Sequence, residues 1–120
     1  MKRILIIDDD VQFRQMLLQT LERAGYEVVE AADGNEGIKL FRESPTDLVI
    51  TDIIMPKKEG IETIIELKRE FTDVKIIAIS GGGRLEAKGY LKSAKNLKVA
   101  RTFEKPFDRE ELLEAIQELL

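Results

Sequence analysis

A chain of 120 residues, 43% of them hydrophobic, is sized and composed for one folded domain, residues 1–120, with a single core. It has no cysteine and no histidine, which excludes disulfides, thiolate and imidazole metal sites, thiol nucleophiles, a histidine triad and a phosphohistidine carrier. The formal charge of −4 argues against general nucleic-acid binding, and with no long apolar run and no signal-like start the cytoplasm is the expected location.

In chain order, Arg3 to Ile7 reads as a buried strand, broken by Asp8-Asp9-Asp10. Asp10 is placed to cap a helix whose Phe13, Met16, Leu17 and Leu21 share one face, and Gly25 is placed to close it. Tyr26 to Ala31 reads as a second strand. Asp33-Gly34-Asn35 supplies a turn and, from Asp33 or Asn35, a cap for a short helix anchored by Ile38 and Phe41 and ended by Ser44-Pro45. Leu48 to Thr51, rich in stiff β-branched side chains, is a third strand; it delivers Asp52 at its carboxyl end, and Pro56 stops further pairing. Gly60 precedes a helix carrying Ile61, Ile64, Ile65, Leu67 and Phe71. Val74 to Ile79 is a fourth strand, ended by Ser80 and Gly81-Gly82-Gly83. A fourth helix, within Leu85 to Lys95 with Ala87, Tyr90, Leu91 and Ala94 inward, is marginal, because Gly89 costs about 1 kcal/mol relative to alanine in a helix interior. Ala100 to Phe103 reads as a fifth strand ending near Glu104-Lys105-Pro106. Asp108 and Glu111 form an Asp version of the capping box for a last helix with Leu112, Leu113, Ile116 and Leu120 inward.

Strands alternating with helices predict an α/β fold, a parallel five-stranded sheet with helices on both faces and right-handed crossovers. Such sheets place their sites outside the carboxyl ends of the strands. Asp8-Asp9-Asp10, Asp52, Ser80 and Lys105 all fall there. Carboxylates gathered at one point repel each other unless a cation neutralises them, and Mg²⁺ suits one or two carboxylates plus waters and substrate oxygens. With Mg²⁺ an Asp carboxylate can attack a phosphoryl group to form an aspartyl phosphate. Lys105 offers a cation and Ser80 a hydroxyl for the phosphoryl oxygens. Taken singly, each has a plainer reading: a cap, a turn residue, a structural serine, a solvated lysine. Their joint placement is what argues for a site.

Those residues stand in four motifs: Ile6-Ile7-Asp8-Asp9-Asp10, Thr51-Asp52-Ile53-Ile54-Met55-Pro56, Ala78-Ile79-Ser80-Gly81 and Lys105-Pro106-Phe107. Over essentially its whole length the chain resembles the receiver domains of bacterial two-component response regulators and is chemotaxis-regulator-like. The resemblance implies the flavodoxin-like strand order 2-1-3-4-5. It implies that Asp52 accepts a phosphoryl group from the phosphohistidine of a sensor kinase or phosphotransfer protein. Asp9 and Asp52 would ligate Mg²⁺ with the backbone carbonyl of Ile54, and Asp8 would act through the metal's water shell. Lys105, positioned by a cis bond to Pro106, would contact the phosphoryl group. Ser80 would shift toward it and bias the surface of the fourth helix, fifth strand and fifth helix. Output would pass through a downstream protein partner, with no direct nucleic-acid or membrane binding, from a monomer or a phosphorylation-dependent dimer.

The chain departs from the family at Thr102, where relatives often carry a Tyr or Phe that swings inward on activation. Phe103 beside it is expected on the opposite side of the sheet, and Tyr90 could fill the space over Thr102. Ile54 and Gly82 stand at positions that tune autodephosphorylation in relatives. Neither side chain can orient an attacking water, so the phosphorylated state is expected to be long-lived. Rival readings are a Mg²⁺-dependent phosphohydrolase, a flavin-binding module and a phosphorylation-independent docking domain. The first wants Thr or Val where Gln12 stands, and the second a phosphate cradle where three acids stand.

Overall fold

A computed structural model describes residues 1–53, 60–81, 99–105 and 107–120. Among them run β1 (Arg3–Ile7), α1 (Val11–Arg23), β2 (Glu27–Ala31), α2 (Gly34–Glu43), β3 (Leu48–Asp52), α3 (Gly60–Glu70), β4 (Ile76–Gly81), β5 (Arg101–Lys105) and α4 (Arg109–Leu119). The helix expected within 85–95 lies outside the described residues, so α4 is the last helix of the sequence reading. The strands form one five-stranded parallel sheet in the order β2-β1-β3-β4-β5, as expected.

Alternation along the strands divides the core into two layers. Ile4 and Ile6 of β1, Leu48 and Ile50 of β3, and Ile77 and Ile79 of β4 pack with Leu17 and Leu21 of α1 and Leu112 and Ile116 of α4. Leu5, Ile7, Val49, Ile76 and Ala78 face the other way, onto Ile38 and Phe41 of α2 and Ile64 and Leu67 of α3. Both faces of β1, β3 and β4 are therefore dry, which is why these runs are continuously apolar in sequence rather than alternating.

The helix ends follow local chemistry. Asp10 accepts the Phe13 N–H at 3.1 Å and starts α1. Gly25 closes it at φ +97°, with its own N–H on Glu22 O at 3.0 Å and that of Tyr26 on Leu21 O at 3.1 Å, the paired bonds of a Schellman stop. Of the two cap candidates for α2, Asp33 is the one used, accepting the Glu36 N–H at 2.9 Å, while Glu36 Oε2 accepts from the Ala32 N–H at 3.2 Å. In α3, Ile65 lies on the outer face and Thr63 is buried in the core. The capping box of the last helix is corrected: Asp108 accepts the Glu110 N–H at 2.9 Å rather than that of Glu111.

Three strands run further toward their carboxyl ends than the apolar pattern indicates. β4 is displaced from 74–79 to 76–81: Val74 donates to Phe71 O at 3.0 Å in a turn after α3, and Ser80 and Gly81 pair with Glu104 and Lys105. β3 extends to Asp52, which pairs with Ile79. β5 is displaced from 100–103 to 101–105, because its polar Glu104 and Lys105 still have a partner strand for their backbone groups. Asp52, Ser80 and Lys105 are thus ladder residues, held by the sheet itself.

Candidate phosphoryl and metal site

The sheet brings the expected residues together at its carboxyl edge. Asp8 follows β1, Asp52 ends β3, Ser80 lies in β4 one step beyond the partner of Asp52, and Lys105 ends β5. One carboxylate oxygen from each of Asp8, Asp9 and Asp52 falls within a group no wider than 4.8 Å. Asp8 and Asp52 are buried, at 2% and 7% exposure, while Asp9 is open to solvent. Lys105 Nζ reaches Asp8 Oδ2 at 3.1 Å and Asp52 Oδ2 at 3.5 Å.

Burial pushes the Asp8 carboxyl above its ordinary range, and the charge of Asp9 adds to this. The Asp10 N–H, donated to Asp8 Oδ1 at 2.9 Å, and the Lys105 ammonium pull the other way without cancelling it. A buried acid in that condition, with two more carboxylates at hand, is an electrostatic deficit that a hard divalent cation fills. The donor set, all oxygen and open on the Asp9 side, fits Mg²⁺. Ser80 points to the same chemistry. Its Oγ is fully buried and has no hydrogen-bond partner among the described residues, where a buried hydroxyl ordinarily has one.

Two contributors were not legible as site residues. Arg14 donates from a guanidinium nitrogen to the main-chain oxygen of Asp8 at 2.7 Å and from Nε to Glu30 Oε1 at 3.0 Å, tying the acidic turn to β2. Phe13 lies beneath Lys105, with Nζ 3.8 Å from its ring centroid. In sequence Phe13 is one more apolar residue of α1, and Arg14 a charge next to that stripe. The ring also lines a cavity of about 480 Å³ beside the site, with Met16, Lys105, Phe107 and Arg109.

Phe103 faces the α1 and α4 layer as expected, its ring 5.3 Å from that of Phe107, while Thr102 pairs with Ala78 and shares that residue's α2 and α3 side. Ile54, Gly82, Tyr90 and Pro106, and with them the carbonyl ligand, the hydrolysis-tuning positions, the filler over Thr102 and the cis bond, lie outside the described residues.

Residues 4–117 match the family described as the response regulator receiver domain. The response regulator receiver protein CpdR of Brucella abortus is 33% identical over 120 residues, covering 100% of this chain and 98% of that one. The chemotaxis protein CheY of Thermotoga maritima is 40% identical over 84 residues, covering 69% and 70%. The crystal structure of the response regulator TrrA of Thermotoga maritima, in complex with Mg(2+)-BeF, superposes with a TM-score of 0.86 at 33% identity over 100% of both chains. The chain also spans 34% and 49% of the length of two longer transcriptional regulators, ycf27 of Cyanophora paradoxa and RpaA of Synechocystis. The phosphohydrolase, flavin and phosphorylation-independent readings are not favoured by these likenesses. Among the described residues no helix is long and apolar enough to cross a membrane.

Proposed function

The chain belongs to the response regulator receiver domain family and serves two-component phosphorylation signalling; from that premise we propose that Asp52 is its phosphoacceptor, with Lys105 and Ser80 as the groups that receive the phosphoryl oxygens. The observation that carries this reading is the single ammonium of Lys105, at the end of β5, spanning Asp8 after β1 and Asp52 at the end of β3. Receiver domains bind Mg²⁺ at an acidic pocket. Here Asp8, Asp9 and Asp52 would hold it, Asp9 and Asp52 directly and Asp8 through water, with the Ile54 carbonyl as a further ligand. When bound, Mg²⁺ supplies positive charge that offsets the phosphoryl oxygens and the clustered carboxylates.

The chain's own groups then divide the work. An Asp52 oxygen forms a bond to phosphorus while the phosphorus–nitrogen bond of a phosphohistidine donor breaks, and the imidazole leaves with the electron pair. Little else is covalent, so positioning and charge carry the rate. Lys105, already within 3.5 Å of Asp52, turns from carboxylate to phosphoryl oxygen without leaving the site. The Ser80 hydroxyl, lacking a described partner, gains one in the phosphorylated state, and that gain is the free energy available to move β4 and the loop after it. The donor is a sensor kinase or phosphotransfer protein, and the readout a protein docking near β5 and α4. With Thr102 in place of an aromatic residue, the switch rests on Ser80 and the loop it draws rather than on a swinging ring.

Acetyl phosphate with and without Mg²⁺, followed by intact-mass analysis of the wild type and Asp52→Asn, tests the reading. One Mg²⁺-dependent phosphoryl mass in the wild type alone is the expected result. A gain that persists in Asp52→Asn moves the nucleophile to another acid, and no gain at all defeats the proposal.

A further inference from the structure

Lys105 has a third neighbour, one that carries no charge. Besides Asp8 Oδ2 at 3.1 Å and Asp52 Oδ2 at 3.5 Å, its Nζ stands over the face of Phe13, 3.8 Å from the ring centroid. The ring itself is held. Asp10, immediately after the site acids, caps α1 by accepting the Phe13 N–H at 3.1 Å, which sets where the residue's backbone stands. The ring meets Phe107 edge-to-face at 5.9 Å and 83°, and Phe107 in turn packs on Phe103 of β5 at 5.3 Å. Its face carries the ammonium.

A cation over an aromatic face is attracted by the ring quadrupole, more so where water is partly excluded, and the Lys105 side chain is only 20% exposed. We propose that Phe13 is a positioning residue for Lys105, its ring face holding the ammonium at the mouth of the site when a phosphoryl group arrives. This rests on Lys105 being the phosphoryl contact proposed above. The carboxylates cannot do the holding in the reactive state. Once a divalent cation neutralises Asp8, Asp9 and Asp52, their pull on the ammonium falls and the cation repels it. The quadrupole of an uncharged ring does not fall with them. Lysine is a point charge on a flexible four-carbon stem, so without such an anchor its ammonium spreads over many positions. Leucine at position 13 would fill the space and leave that spread.

The full chain carrying Phe13→Leu or Phe13→Trp tests this, with Mg²⁺ as the metal probe and acetyl phosphate as the donor. In the wild type the ε-methylene protons of Lys105 should show an upfield ring-current shift by NMR. In Phe13→Leu the shift should vanish and labelling slow roughly tenfold, with the Mg²⁺ dissociation constant within about twofold of the wild type, since a phenyl ring supplies no oxygen ligand to the ion. Phe13→Trp should restore both shift and rate, which filling of space alone does not explain. Three results would overturn the proposal: no ring-current shift in the wild type, Phe13→Leu labelled at the wild-type rate, or Phe13→Trp folded yet as slow as Phe13→Leu. The first needs no variant to fold. A wild type that is not labelled at Asp52 defeats the phosphoacceptor reading instead, before any variant is compared.

Discussion

Lys105 Nζ lies 3.1 Å from Asp8 Oδ2, although β3 and β4 separate their strands in the sheet. Three strand pairings, β1 with β3, β3 with β4 and β4 with β5, rather than any local sequence relation, bring a cation to a carboxyl with 2% exposure. The ion pair partly offsets the cost of burying that acid, and the remaining deficit is what a divalent cation relieves.

That deficit has a pH signature. Burial is the largest influence on Asp8 and raises its pKa from 3.8. Between the unfolded and the raised folded value the native state binds more protons than the unfolded one. Stability therefore falls as pH rises through that interval, and the penalty is fully present above it. Asp8→Asn keeps an acceptor for the Asp10 N–H and removes the charge. In EDTA at neutral pH it should unfold at a higher temperature than the wild type, with the difference shrinking as pH is lowered toward 3.8. Added Mg²⁺ should raise the midpoint of the wild type more than that of the variant, as thermal unfolding across a pH series would show.

Gly60 opens α3 against the end of β3, with its N–H on Ile53 O at 2.6 Å. A Cβ there would collide with the main-chain oxygen and carbonyl carbon of Asp52 and the Cα of Ile53, none of which can swing aside as a side-chain tip does. Gly60→Ala should lower stability by about 1–3 kcal/mol, the usual range for overpacking. Because the displaced backbone is that of Asp52 itself, it should also slow acetyl phosphate labelling. Urea unfolding and intact mass read the two effects, and an unaltered labelling rate would separate α3 packing from the site.

Arg14 anchors the acidic turn through its 2.7 Å bond to Asp8 O and its ion pair with Glu30, and its side chain is 16% exposed. Arg14→Met keeps much of the stem's bulk and loses both bonds. It should cost about 2 kcal/mol, as expected for a partly buried charged hydrogen bond. It should also weaken Mg²⁺ binding several-fold by loosening the turn that carries Asp9. Calorimetric titration of the ion-free protein measures the second effect. Arg14→Lys, which cannot span Asp8 and Glu30 with one planar fork, should recover only part of it.

Most of the fold was legible because the evidence for it is local. Asp10, Asp33 and Gly25 are capping residues whose roles follow from their own side chains or from the lack of one, and the structure uses each as expected. Strand ends were misplaced at β4 and β5 for the opposite reason. Ser80, Glu104 and Lys105 are polar and look like loop, but a paired neighbour strand keeps their backbone groups in the ladder. Likewise Ile65 and Thr63 exchange the places that polarity suggests, because their angle around α3 decides which side meets the sheet.

The sequence by itself determined the chemical inventory: three acids after β1, one at the end of β3, a hydroxyl on β4 and a lysine on β5, in four motifs together specific to one family. Only the tertiary structure decided how that inventory is held. It placed Phe13 under Lys105, Arg14 on the carbonyl of Asp8, and Gly60 where only a hydrogen fits against Asp52. The first joins residues at opposite ends of the chain, and the other two turn a helix start back onto the strand end that precedes it. No period or composition encodes them, because each arises only when a helix is packed against the carboxyl edge of the sheet.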